Sequence, residues 1–302
     1  MRYKWHFDIV KHSKKFYTFS IIVTILGIIT LLIHGLSLGV DFKAGTSLDI
    51  AVGQAIDKAK AEELFQNAEL VPPGLTIGGD NGDRVSARFD KVLNADEVNK
   101  IMDQFTKAYG DQVSKEENTV DTELAAELAL KALYGVLVAC IAISIYVIIR
   151  FEWRFAVAAV VSLFHDAFMV ISLFSILKLE VNLPFVAAIL TIIGYSLNDT
   201  VVIFDRIREN TRFAKLKDPG DLKDLVNKSI WQTMTRSINT VITVLIGALC
   251  LFIFGSEAIR LFSLAMIFGL FFGAYSSIFI ASPIWMHLKR ISLGRKRAVV
   301  AK

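Results

Sequence analysis

The 302-residue chain has only two cysteines, Cys140 and Cys250, and both fall inside long apolar runs. No disulfide framework is available to staple it, and single cysteines in apolar helices are packing residues. Also missing are a Gly-x-x-x-x-Gly-Lys-Ser/Thr phosphate loop, a metal-ligand spacing and a convincing nucleophile triad. These absences exclude nucleotide hydrolysis within the chain and argue against an enzyme or a cofactor protein. Work done by such a chain draws on a transmembrane gradient or on another subunit. Charge is missing too, over long stretches: Val181 to Asn198 is 18 residues without Lys, Arg, Asp or Glu.

Apolar surface takes its place. Hydrophobic residues make up 54% of the chain, which is not the composition of an ordinary soluble protein. A bilayer takes about 20 apolar residues to cross. Six runs qualify: Phe16–Ile33, Ala132–Ile149, Phe155–Leu177, Val181–Phe204, Ser237–Gly255 and Leu261–Met286. The first two extend into helices at 16–38 and 125–149. The chain reads as a polytopic α-helical membrane protein with six transmembrane helices.

Orientation follows from Lys and Arg in the connections. Residues 1–15 carry Arg2, Lys4, Lys11, Lys14 and Lys15, the 205–236 connection carries eight basic residues, and the tail 287–302 carries six with no acid. Both termini and the 205–236 loop are therefore expected on the cytoplasmic side of the plasma (inner) membrane. The 39–124 segment is expected on the exported side. Over residues 41–123 it holds 17 Asp and Glu against nine Lys and Arg. The basic clusters are juxtamembrane, so anionic lipid explains them more cheaply than nucleic acid. Span one has a basic flank but no small-residue cleavage site after it, so it reads as an uncleaved anchor.

Trp5, Phe7, Ile9 and Val10 among the bases of residues 1–15 suit a short helix on the inner membrane surface. In the exported segment, Ser47–Val52 reads as a strand and Gln54–Leu70 as a helix stopped by Pro72-Pro73-Gly74. Leu75–Ile77 and Arg84–Phe89 read as strands around the turn signal Gly78-Gly79-Asp80-Asn81-Gly82-Asp83. Asp96–Tyr109 is a helix with Ile101, Met102, Phe105 and Ala108 on one face. That makes a small exported α+β domain of βαββα order, half of a ferredoxin-like fold, whose sheet a partner would complete. In the 205–236 loop, a turn at Lys217-Asp218-Pro219-Gly220 precedes Leu222, Leu225, Val226, Ile230 and Met234 at helical spacing. The expectation is an amphipathic helix on the cytoplasmic surface. Span six carries Ala265, Gly269, Gly273 and Ser277, a ladder that lets another helix of this chain or a partner approach closely.

The working part is the polar content of span four. Asp199 lies about 10 Å deeper than Arg206 by helical rise, where a carboxylate costs roughly 2.5 to 3.5 kcal/mol on insertion scales. It shares a face with Tyr195 and Ser196, next to Asn198, while Asp205 points elsewhere and reads as a boundary charge, a part in a proton exit being the alternative. Tyr195, Ser196, Asn198, Asp205 and Thr240 read as relay or structural support around Asp199. Asp199 reads as a titrating proton site, a structural ion pair being the alternative. Arg236, with Thr240 above it, either snorkels to headgroups or turns toward Asp199. His165-Asp166 sits about 15 Å into span three, either as a packing pair or as an extension of a proton relay.

The run Tyr195-Ser-Leu-Asn-Asp-Thr-Val-Val-Ile-Phe-Asp-Arg-Ile-Arg-Glu-Asn210 resembles the fourth-span signature of the SecF family of protein-export membrane subunits. Gly39-Val-Asp-Phe-Lys-Ala-Gly-Thr46 resembles that family's motif after span one, Met234-Thr-Arg-Ser-Ile-Asn-Thr240 its fifth-span start, and His165-Asp166 its third-span pair. Ala44 stands where the family usually has the first of two glycines. The resemblance implies pairing with SecD in an RND-like arrangement, association with the SecYEG channel, and proton-driven assistance to unfolded preproteins. It also implies that Asp199 and Arg236 are tied to proton passage, with protons as the coupling ion. Two other functions stay open: half of an RND-type small-molecule exporter, and a non-transporting assembly or scaffold subunit.

Overall fold

Six membrane-crossing helices follow the six apolar runs in a computed structural model that describes residues 8–79, 81–214 and 219–300. The first is α1 (Ile9–His34), followed by β1 (Ser37–Leu38) and the one-turn α2 (Val40–Lys43). A small domain comes next: β2 (Gly45–Ala51), α3 (Lys58–Asn67), β3 (Gly74–Gly78), β4 (Arg84–Phe89), α4 (Ala95–Tyr109) and β5 (Ser114–Val120). The chain then returns to the membrane with α5 (Thr122–Arg150), α6 (Trp153–Ile176), β6 (Glu180–Val181) and α7 (Leu183–Phe213). It ends with α8 (Pro219–Phe254), α9 (Glu257–Ser276), a π-helical turn (Ser277–Ala281) and α10 (Ser282–Val300). Span six runs through the π turn as one path from α9 into α10.

In the small domain, alternation places Leu48, Ile50, Val85, Ala87 and Phe89 on one sheet face, against Ala61, Leu64 and Phe65 of α3 and Val98, Ile101 and Phe105 of α4. Phe65 meets Phe105 edge-on at 5.2 Å between ring centroids, a favoured aromatic geometry. Asn94 and Glu97 close a capping box at the start of α4. The expected β and α elements of the half-fold are all there in order, with Gly79 (φ 84°) and Gly82 (φ 67°) turning the β3–β4 hairpin. Asp80, in that turn, lies outside the described residues.

The domain is more than half, however. β5 pairs antiparallel with β2 from Gly45↔Val120 to Ala51↔Ser114, giving the strand order β3-β4-β2-β5. The full βαββαβ unit is therefore built from one chain, and no partner is needed to complete its sheet. The strand escaped the sequence reading because Ser-Lys-Glu-Glu-Asn-Thr-Val is polar and only Val120 is buried. A charged edge strand shows no alternation and resists further pairing.

The far end of the bundle also differs from expectation. The 205–236 connection is not a loop carrying a separate surface helix. α7 runs on to Phe213, and α8 is one 36-residue helix from Pro219 through span five. Nothing between Asp221 and Ser237 breaks a helix, and the apolar stripe finds protein rather than headgroups. Leu222, Val226 and Ile230 are buried with Ile9, Val10, Phe204, Ile207 and Trp285. The expected turn at residues 217–220 lies partly outside the described residues. The expected surface helix near the N-terminus is instead the start of α1, whose Ile9 and Val10 pack into the same cluster; residues 1–7 lie outside the described residues.

α6, α7 and α9 form the buried centre, while α1, α5 and much of α8 present exposed Ile, Leu and Val outward, as lipid-facing helices do. The small-residue ladder of span six meets α7 of the same chain. A Cβ on Gly269 would lie 2.2 Å from Ile192 Cγ1, and one on Gly273 3.1 Å from Ser196 Cβ.

A candidate proton site between three helices

The site is positioned by α7. Asn182 caps it by accepting the Phe185 N–H at 3.0 Å, with Pro184 in the first turn. From there Ile189, Ile192, Ile193, Ser196, Thr200 and Ile203 recur at three- and four-residue spacing and are buried. Asp199 borders this stripe.

Asp199, Tyr195 and Ser196 of α7, Ser237 and Thr240 of α8, and Gly269, Leu270 and Gly273 of α9 enclose a cavity of about 20 Å³. That is room for about one water molecule. Asp199 Oδ2 and Ser237 Oγ are both buried and neither hydrogen bonds to any other described residue. A carboxylate oxygen with no partner in a bundle core is expensive to keep charged. The site is suited to taking up and releasing a proton.

Arg236, the residue before Ser237, is exposed and makes no direct ion pair with Asp199 among the described residues. Thr240 Oγ1 donates to the Arg236 carbonyl at 3.0 Å. Asn198 is exposed, away from the cavity. Asp205 pairs with Arg208 at 2.8 Å and with Arg150 at 3.7 Å, as a boundary charge would.

His165-Asp166 is drawn into the same neighbourhood. Asp166 is wholly buried, and its Oδ2 accepts Ser196 Oγ at 2.5 Å and Ser276 Oγ at 2.7 Å. His165 Nδ1 meets Asp166 Oδ1 at 3.0 Å, and Ser162 Oγ donates to Ser276 Oγ at 2.8 Å. Ser162, Ser237 and Ser276 went unnoticed in the sequence. A hydroxyl in an apolar helix often satisfies itself on its own backbone, so only its neighbours reveal its role.

Outside the membrane spans, two carboxyls are perturbed. Burial pushes Asp49 on β2 upward, with Glu116 adding to the effect. At Asp8, partial burial acts upward but is outweighed by bonds from Lys223, the Lys11 N–H and Asn227, which hold it at about 2.

A family model described as protein export membrane protein SecD/SecF, C-terminal, matches residues 100–291. The protein translocase subunit SecF of Alicyclobacillus acidocaldarius is 42% identical over 98% of this chain and 99% of its own length. The chain belongs to the SecD/SecF protein-export family. Within it the chain falls with the SecF members, as a subunit of protein-export machinery. The protein translocase subunit SecDF of Bacillus subtilis is also 42% identical, over 98% of this chain but 40% of that longer protein. Among solved structures, SecDF from Thermus thermophilus, described as a translocon-associated membrane protein, superposes with a TM-score of 0.81 at 28% identity. The match covers 95% of this chain and 39% of that one. SecDF in its super-membrane-facing form gives 0.68 at 26% identity, over 99% of this chain and 41% of that one. This SecF-type chain thus spans about two fifths of the SecDF chains it matches.

Proposed function

We propose that the chain is the SecF half of a proton-driven pair, in which Asp199 carries the proton and Arg236 modulates it. The observation that carries this is the buried Asp199 oxygen, without a hydrogen bond to a described residue, at a water-sized cavity shared with Ser237, the residue after Arg236. Single-chain SecDF relatives that continue well beyond this chain's length support a SecD partner. The SecYEG channel and an unfolded preprotein complete the proposed assembly. The Lys/Arg asymmetry supports cytoplasmic termini in the plasma membrane and an exported sheet domain. Moving one charge through the whole field is worth about 2.3 kcal/mol per 100 mV, enough to shift a conformational equilibrium more than tenfold.

The test is preprotein translocation in vesicles holding the chain with its SecD partner, with and without an imposed proton gradient. Asp199→Asn is expected to insert and assemble but to lose the gradient-dependent part. A wild-type response in Asp199→Asn vesicles would sink the assignment. Drug extrusion without any effect on preprotein would point to a small-molecule exporter instead.

A further inference from the structure

A carboxylate with no exposed surface needs compensation, and Asp166 has one ionisable neighbour in direct contact, His165. Two arrangements remove the bare anion. One is imidazolium against carboxylate; the other is neutral imidazole against carboxylic acid. Both contain one added proton and differ only in which atom of the His165 Nδ1–Asp166 Oδ1 contact holds it. We propose that His165 and Asp166 form a second exchangeable proton site, and that the Ser196 hydroxyl reports its state to Asp199. This rests on the reading of Asp199 given above.

The geometry supplies both ends of the link. Ser196 precedes Asp199 by three residues, so the two stand on one face of α7, and both border the 20 Å³ cavity. Ser196 Oγ donates to Asp166 Oδ2 at 2.5 Å. A serine hydroxyl has one proton to give. While it is given to Asp166, Ser196 offers the cavity only lone pairs. When the added proton sits on Asp166 Oδ1, Oδ2 becomes a neutral carbonyl oxygen and accepts more weakly, so the Ser196 O–H is freed to turn toward the cavity and stabilise Asp199 as an anion. Ser276, backed by Ser162, holds the same Asp166 oxygen in place.

The atom that takes the added proton is also free to do so. His165 Nε2 is buried without a hydrogen bond and its ring stacks at 6.2 Å on Tyr275. Loading adds one proton from water to Nε2 of an imidazole whose other proton sits on Nδ1. An N–H bond forms, and the site's charge rises from minus one to zero. Unloading is the reverse.

Few other groups on the packed elements compete for the proton. On α7 there is Asp199, with Arg236 beyond it on α8. On α9 there is Tyr275, bonded to Phe16 O and Ser20 Oγ. On α1 there is Tyr17, bonded to Ile280 O, and on α5 Cys140. On α10, Lys289 is engaged with Glu152 at the opposite end of α6 from the sheet domain.

The test is infrared difference spectroscopy between acid and alkaline pH on the chain co-purified with its SecD partner in lipid vesicles. Carboxyl and imidazole bands are read in wild type and variants. Asp166→Asn is expected to delete a titrating signal that Asp199→Asn leaves in place. It is also expected to change the proton affinity of Asp199 about fivefold or more, the scale of coupled sites. Ser196→Ala should keep both signals but abolish the coupling, and Ser196→Thr should restore it. If Asp166→Asn fails to assemble, His165→Gln serves in its place, because it removes the imidazole signal and keeps the carboxyl. A spectrum from which neither variant deletes a titrating signal overturns the proposal. So does an Asp199 affinity indifferent to Ser196→Ala and Asp166→Asn. Because these bands are read without transport, an error over Asp199 as the driver of export shows up separately, in the translocation assay.

Discussion

Asp41 Oδ2 accepts the backbone N–H of Leu183 at 2.8 Å. Leu183 opens the helix that carries Asp199, and the other oxygen of Asp41 accepts Asn118 Nδ2 of β5 at 2.9 Å. One buried carboxylate thus joins the sheet domain to the start of the helix that carries Asp199. Arg88 reinforces the joint, donating to Leu38 O at 2.6 Å and facing Glu180 at 3.3 Å.

Removing that carboxylate should loosen the joint. Hydrogen bonds to a buried charge contribute about 1.5 to 3 kcal/mol each. Asp41→Ala is expected to cost about 2 to 4 kcal/mol in thermal unfolding of the purified protein. Asp41→Asn should fall between, because its amide oxygen still accepts from Leu183. Equal melting of all three forms would mean that the contact contributes nothing.

Ala44 is held at φ 65°, ψ 159°, a region that costs a residue with a Cβ about 1 to 3 kcal/mol. Ala44→Gly relieves it, offset in part by a more flexible unfolded chain. The expected gain is about 1 kcal/mol, read as a higher melting temperature. A lower one would show that Ala44 is unstrained.

Gly269→Ala drives a methyl group into Ile192, and overpacking of this kind costs about 1 to 3 kcal/mol. Ile192→Val in the same chain should recover part of the loss. Additive effects of the two changes in a double-mutant cycle would exclude direct contact.

The folded carboxyl of Asp8 lies at about 2, below its ordinary value of 3.8. Its contribution is therefore fully present above about pH 4 and fades as pH falls through 3 toward 2. Asp8 and Lys223 are each about a third exposed, with side-chain values of 31% and 34%. Solvent screening therefore leaves about 1 kcal/mol. Asp8→Asn should remove that portion at neutral pH and flatten stability across the acid range. An unchanged acid unfolding curve would deny the pairing a role.

Much of this was legible in the sequence because depth and spacing are one-dimensional facts. Asp199 and its neighbours Tyr195 and Ser196 follow from helical periodicity, and the six spans follow from run length. Which helix lies across the cavity is a different kind of fact. Ser237 and Gly269 are 38 and 70 positions from Asp199 and meet it only through packing. β5 was hidden for another reason: its pairing is carried by backbone groups, which composition does not encode. The tie between Asp166 and Ser196 needed both helices in place.

The unbroken course of α8 has a mechanical consequence. Ser237, at the Asp199 cavity, lies midway along the 36 residues, leaving an arm of about 27 Å to the Pro219 end. A tilt of about 10° pivoting at Ser237 would sweep that end through about 5 Å, given the rise of an α-helix. Near the tip, Lys223 holds Asp8 at 2.5 Å, and Asn227 holds both Asp8 and the Val10 N–H. At Lys223 and Asn227, about 21 and 15 Å from the pivot, the same tilt amounts to about 3 to 4 Å, which hydrogen bonds of this length do not span. The contacts that tie the start of α1 to α8 are thus a brake on any swing of α8 about the Asp199 cavity.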